Sequence, residues 1–285
     1  MQQCKIIDAK SPWATLDWSK FIEPREDIII YNDTFGAAHD SRPQRKVFFN
    51  LEPESIIPTE AYLLQNYKLF KYILTFNQNV FDNCPNAIKY THGTTWITEK
   101  DYLSTDANVD TKQYKISIMT GTKCMTKGHE FRLNLYKTQA AFKNFPIVFW
   151  RSSAGQLLPE LVKENNPILP REMSSKIEML RDYQFHICIE NSRQQNYFSE
   201  KLMDCLLTKT IPIYYGCPNI TDYFDTTGWI ILQDESPSTL FKALLSLNGT
   251  YYSKYKDTIN KNYEEAKKYT DIYKNVNSIL STILW

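Results

Sequence analysis

The stretch "YQFHICIENSRQQNYFSEKLMDCLL" (183–207) decides how the chain is read. Its "FHICI" portion (185–189) is continuously apolar, as in a strand buried on both faces of a parallel sheet. Further on, Ser199 suits a helix N-cap, and Leu202, Cys205, Leu206 and Lys209 recur at helical spacing, so one helix face packs inward. Between strand and helix, "ENSRQQNYFSEKL" (190–202) crowds acid, amide, hydroxyl, basic and aromatic groups together. A solvated loop accounts for such a composition, and so does a site for a charged, sugar-bearing ligand. Position separates the two readings: in open parallel sheets, ligands sit beyond the carboxyl ends of strands, where helices begin.

Glu200 in a first helical turn is favoured by the helix dipole alone. Lys201 is mildly disfavoured there, and an anion at the helix N-terminus supplies a reason for it. A carboxylate beside a phosphate can accept two hydrogen bonds from a ribose diol. Asn191 and Tyr197 add donors and a stacking face, which completes the outline of a nucleotide-diphosphate pocket. Neither G-x-G-x-x-G nor G-x-x-x-x-G-K-[ST] occurs, so dehydrogenase and P-loop readings lose their main support.

Outward from this stretch the same alternation continues. Strands are predicted at 27–31, 46–51, 72–76, 87–90, 114–119, 147–150, 211–215 and 229–232. Helices are predicted at 58–70, 128–144, 174–183 and 199–209, and helical patterns fill most of 236–285. This alternation specifies an α/β fold with parallel sheets. The Pro/Gly/Ser/Asn-rich segment 151–172 is the candidate linker. It divides the chain into an N-terminal Rossmann-like domain, 1–152, and a C-terminal domain carrying the nucleotide-diphosphate pocket, 153–285, whose last helix is free to pack back on the first.

Composition narrows the function classes. At 285 residues and 42% hydrophobic, the chain can bury a sizeable core. Lys+Arg 33 against Asp+Glu 32 leaves no global charge for nucleic acid. No apolar run approaches the ~18 residues of a membrane span, and "MQQCKIIDAKSPW" lacks a signal-peptide core, so a cytoplasmic location is expected. Six cysteines without a C-x-x-C pair have no zinc-ligand spacing, and Cys188 and Cys205 read as buried free thiols. Lone histidines such as His92, His129 and His186 read as structural.

Residues 183–224 resemble the donor-binding signature of glycosyltransferase family 10, the α-1,3/1,4-fucosyltransferases. The matching segments are "FHICIENS", "YFSEKL" and "IPIYYGCP". "QRKVFFNLEPE" (44–54) looks like the family's acceptor-domain segment, with Lys46 in place of Trp, and "HEFRLNLYK" (129–137) is similar to its phosphate-binding helix. "VFWRSSAG" (148–155) departs from the usual Tyr-Gly after the interdomain strand. The resemblance implies a GT-B-like fold, two facing Rossmann-like domains with a cleft between them. It also implies inverting transfer of fucose from GDP-fucose to a glycan hydroxyl, with an α-1,3 linkage.

Carried over residue by residue, the resemblance makes Glu52 the general base. Arg132 and Lys201 become the diphosphate ligands, and Asn191, Tyr197 and Glu200 the walls of the nucleotide and fucose pocket. No D-x-D motif occurs, so no metal or other cofactor is expected; "DANVD" (106–110) fails that spacing. The partners are then a nucleotide sugar and a glycan acceptor. Two alternatives stand beside this reading: a transferase of the same fold using another nucleotide sugar, and a non-catalytic carbohydrate-binding derivative.

Overall fold

The computed structural model describes residues 5–8, 20, 28–104, 110–152 and 169–283. Two units emerge. The first comprises the chain up to His92, the short piece Gln194–Tyr197, and the chain from Asp271 onward; the second comprises Gly93–Arg193 and Phe198–Thr270.

The first unit holds a parallel sheet of strands β1 (Lys5–Asp8), β2 (Ile28–Asn32), β3 (Arg45–Phe49), β4 (Tyr72–Thr75) and β5 (Ala87–Lys89), in that order. Side chains alternate faces along a strand, and both faces here are apolar. Ile28, Ile30, Val47, Phe49 and Leu74 face helix α8 (Ile272–Ile283), which offers Ile272, Val276 and Leu280 at four-residue spacing. Ile29, Tyr31, Phe48 and Ile73 face the other way. They pack against Leu63 of helix α1 (Glu60–Asn66) and Val80 of helix α2 (Gln78–Asn83).

The second unit holds strands β6 (Gln113–Met119), β7 (Ile147–Ser152), β8 (Arg171–Met173), β9 (Tyr183–Ile189), β10 (Ile211–Tyr215) and β11 (Ile230–Ile231). They are all parallel and lie in the order β8-β7-β6-β9-β10-β11. Counted from β6 this is the doubly wound Rossmann order, with its switch point between β6 and β9. Helices α4 (Lys127–Lys137) and α6 (Pro237–Leu244) cover one face through Phe131, Leu135, Leu240 and Leu244. Helices α5 (Glu200–Leu207) and α7 (Lys256–Ala266) cover the other through Leu202, Met203, Leu206, Tyr263 and Ala266. Cys188 and Cys205 are buried free thiols.

Two expectations are corrected. The boundary between units falls at His92/Gly93 rather than at 152/153, because β6 and β7 join the sheet of β9 and β10. Hydrophobic patterning marks these segments as buried strands but carries no label for the pairing partner. The helix expected over 174–183 is only a 3₁₀ turn, Lys176–Met179, closed by reciprocal Ser175 and Glu178 side-chain bonds; β9 already begins at Tyr183. Most of the expected linker, 153–168, and most of "DANVD" lie outside the described residues. Helices α2 and α3 (Glu99–Ser104) and strand β8 are additions to the sequence reading.

Candidate functional site

The site is built at the switch point of the second unit. β9 ends at Ile189, and the chain continues through Glu190 and Asn191. Helix α4, which follows β6, brings its N-terminus against this corner. Thr126 caps it by accepting from the His129 amide, and the Gly128 amide donates to the Asn191 carbonyl at 3.3 Å. A Cβ on Gly128 would lie 1.8 Å from the Glu190 carbonyl oxygen, so only glycine permits this approach. One turn further along α4, Arg132 donates to the Ile189 carbonyl and, at 2.8 Å, to the Asn191 side-chain oxygen.

The second helix at this corner is α5. Ser199 caps it, accepting from the Lys201 amide at 3.4 Å. Buried Glu190 in turn accepts from the Ser199 amide at 2.8 Å and from its hydroxyl at 2.6 Å. The cap is therefore fixed by the same loop that Arg132 holds. The Lys201 ammonium lies 3.0 Å from Glu200 and 3.8 Å from Glu190. Beneath them, Lys176 pairs with fully buried Asp204 at 2.6 Å and reaches Glu200 at 4.0 Å. Asp204 also accepts from the Thr95 hydroxyl at 2.6 Å and the Trp96 amide at 3.0 Å.

Charges of both signs are packed closely at this corner. Burial opposes the charge on Glu200, but Lys201 and Lys176 outweigh it and draw the carboxyl down to about 2. Burial raises Glu190 above the usual carboxylate range, with Lys201 opposing. His129 is held down to about 4, first by burial and then by Arg132, Lys123 and Lys201.

Of the residues singled out from sequence, the structure gathers Arg132, Asn191, Glu200 and Lys201 here. Glu52 and Tyr197 belong to the first unit. Tyr197 is buried there, its ring 5.3 Å from Phe76 and 6.2 Å from His92, so packing is what the structure shows for it. Its neighbour Asn196 donates to the Phe76 carbonyl at 3.1 Å. Glu52 follows β3 and is buried, and its amide donates to Asp33 at 3.0 Å. Burial pushes the Asp33 carboxyl up to about 7 against the hydrogen bonds it accepts from Asn50, Glu52 and Leu51. Sequence reasoning passed over Glu190, Lys176, Gly128 and Asp33. Glu190 stood inside the quoted motif, whereas nothing in the local pattern marks the other three.

Part of this constellation sits inside a recognisable segment. Residues 159–278 match the C-terminal domain of glycosyltransferase family 10 (fucosyltransferase). The match covers less than half of the chain. It contains the β9–α5 corner; Arg132 lies before it.

The chain is similar to the α-(1,3)-fucosyltransferase FucT of Helicobacter pylori, 34% identical over 62 residues, 22% of this chain and 13% of that protein. It is also similar to α-(1,3)-fucosyltransferase B of Drosophila melanogaster, 27% identical over 271 residues, 89% of this chain and 56% of that protein. The chain thus spans little more than half of the longer match. A crystal structure of an α1,3-fucosyltransferase with GDP-fucose superposes with a TM-score of 0.55 at 17% identity, over 90% of this chain and 78% of that one. At that identity the likeness shows the fold, which is α/β and GT-B-like with two Rossmann-like units. Among the described residues, no helix is long and apolar enough to cross a membrane.

Proposed function

We propose that the chain transfers fucose from GDP-fucose to a hydroxyl of a glycan acceptor with inversion, forming an α-1,3 linkage. The observation that carries the reading is the convergence of Arg132, Lys201 and the α4 N-terminus on the end of β9. A diphosphate placed there meets two side-chain cations and the positive end of a helix. Glu200, ionised at neutral pH, is suited to accept hydroxyl donors of a ribose or a sugar. Asn191 is held by Arg132 at the same corner, and Tyr197 remains a donor-side group in this reading.

The chemistry is a single displacement. Glu52 takes the proton of the acceptor hydroxyl as its oxygen attacks the anomeric carbon. The bond from that carbon to the phosphate oxygen breaks, and GDP leaves with the electron pair. Arg132 and Lys201 meet the charge that develops on the leaving diphosphate. One base and one displacement invert the anomeric centre.

The test is GDP release and product formation with GDP-fucose and a panel of glycan acceptors, with and without EDTA, alongside calorimetric GDP titration. Glu52→Gln should abolish turnover, by at least ~100-fold, while GDP affinity stays within about twofold. Absence of both GDP binding and transfer in the wild-type chain defeats the proposal, and tighter stabilisation by UDP than by GDP transfers it to another nucleotide sugar.

A further inference from the structure

Asp33 is placed unlike any other acid of the first unit's described residues. It is 1% exposed, follows β2 directly, and holds a left-handed backbone with φ 46°. Asp is among the few residues that tolerate that conformation, because its short side chain bonds locally. Its amide still reaches the carbonyl of Phe49, the last residue of β3, at 3.1 Å, which continues the β2–β3 ladder past the end of β2. Its carboxylate then turns onto the chain leaving β3. One oxygen accepts from the Asn50 side-chain amide at 2.9 Å and the Leu51 amide at 3.1 Å. The other accepts from the Leu51 amide at 3.1 Å and the Glu52 amide at 3.0 Å. Asn50 is itself pinned, its side-chain oxygen accepting from the Thr75 hydroxyl at 2.9 Å and its side-chain amide donating to the Glu52 carbonyl at 3.1 Å.

Both peptide groups of Glu52 are therefore held from one buried layer at the carboxyl ends of β2, β3 and β4. A helix or a longer ladder would hold such a loop without a buried charge. Keeping a carboxylate there works against stability, since burial opposes its ionisation. An acceptor of three donors is what the geometry requires, and a carboxylate supplies it in two oxygens.

We propose that Asp33 is a positioning residue for Glu52: it clamps the Leu51–Glu52 backbone and so aims the Glu52 carboxylate. The inference rests on the reading of Glu52 as the base. It is specific about Asn as a replacement. Asparagine keeps the shape but turns one acceptor oxygen into an NH₂ group, which opposes either the Asn50 amide or the Glu52 amide.

The test compares wild type with Asp33→Asn in the full chain by three measurements: transfer kinetics, calorimetric GDP affinity, and amide hydrogen exchange. Expected for Asp33→Asn is a kcat loss of ~100-fold, the scale of misplacing a catalytic group by about 1 Å. GDP affinity and donor KM should stay within about twofold, and exchange should quicken at Leu51 and Glu52 with the rest of the first unit unchanged. The melting temperature at pH 8 should not fall, because the variant no longer buries a charge. A kcat near wild type, unchanged exchange at Leu51 and Glu52, or a loss of kcat matched by global loss of protection overturns the clamp. If the wild type proves inactive, the fucosyl-transfer reading fails by itself, and the exchange comparison still decides whether Asp33 fixes the Glu52 backbone.

Discussion

Gly128→Ala is a one-carbon change whose outcome the geometry determines. Helix propensity alone favours Ala, by up to about 1 kcal/mol. Against it, the new Cβ would lie 1.8 Å from the Glu190 carbonyl oxygen and 2.9 Å from both the Glu190 carbonyl carbon and the Asn191 oxygen. An ordinary carbon–oxygen contact is about 3.3 Å or more, so α4 and the β9 corner must separate by roughly 1.5 Å. All three atoms are backbone, and no flexible side chain can yield in their place. Overpacking of this kind costs about 1–3 kcal/mol, which outweighs the propensity gain. The net loss, centred on about 1 kcal/mol, lowers the melting temperature by about 2–4 °C in a unit of this size. The same displacement draws Arg132 away from Ile189 and Asn191, its partners at the cradle. GDP affinity should then fall about tenfold, or about 1.4 kcal/mol. Thermal unfolding and calorimetric GDP titration measure both effects. Gly121→Ala is the control, because nothing stands within 4 Å of a Cβ there. If Gly128→Ala matched the control in both measurements, the close approach of α4 to β9 would be wrong, and with it the role of Arg132 in the corner.

Two further outcomes follow from buried charge. Lys176→Met strips the ammonium from Asp204, which is fully buried, and from Glu200; a urea midpoint lower by the equivalent of about 3–5 kcal/mol is expected, and an unchanged midpoint would falsify the ion triad. His186, bonded to Ser117 at 2.8 Å, is held down to about 3 by burial and then by the Lys176 charge. The unfolded imidazole takes up a proton near pH 6.5 and the folded one only near 3, so its contribution is complete above about 6.5 and is lost as pH falls from there. Between pH 6 and 4, replacing it as His186→Asn should therefore remove about 1.4 kcal/mol per pH unit from the slope of stability; parallel slopes for the two proteins would contradict this.

How much of this could be read in advance depends on whether a property is local. The strand "FHICI", the Ser199 cap and the apolar stripe of α5 are set by neighbours in sequence, through side-chain alternation and helical repeat, and the structure reproduces them within one or two residues. The grouping of Glu200 with Lys201 is likewise local, because adjacent residues in a first turn cannot be far apart. Arg132 entered from the sequence only by resemblance, as it lies 59 positions from the Asn191 it bonds.

Pairing and burial belong to the tertiary structure. Whether β6 and β7 join the first sheet or the second depends on which strands offer a free edge and a matching apolar face, and no repeat along the chain encodes that choice. The short turn at Lys176–Met179 ends where β9 must begin, so sheet pairing overrides its helical pattern. The roles of Glu190, Lys176 and Asp33 arise only once burial removes water from their surroundings. A carboxylate or ammonium is an ordinary surface charge until that happens, and then its free energy is set by whichever donor or counter-ion the fold brings within about 3–4 Å. The sequence by itself determined the elements and the chemical inventory of "ENSRQQNYFSEKL"; the fold decided which of those groups gather at the β9–α5 corner and which, like Tyr197, pack within the first unit.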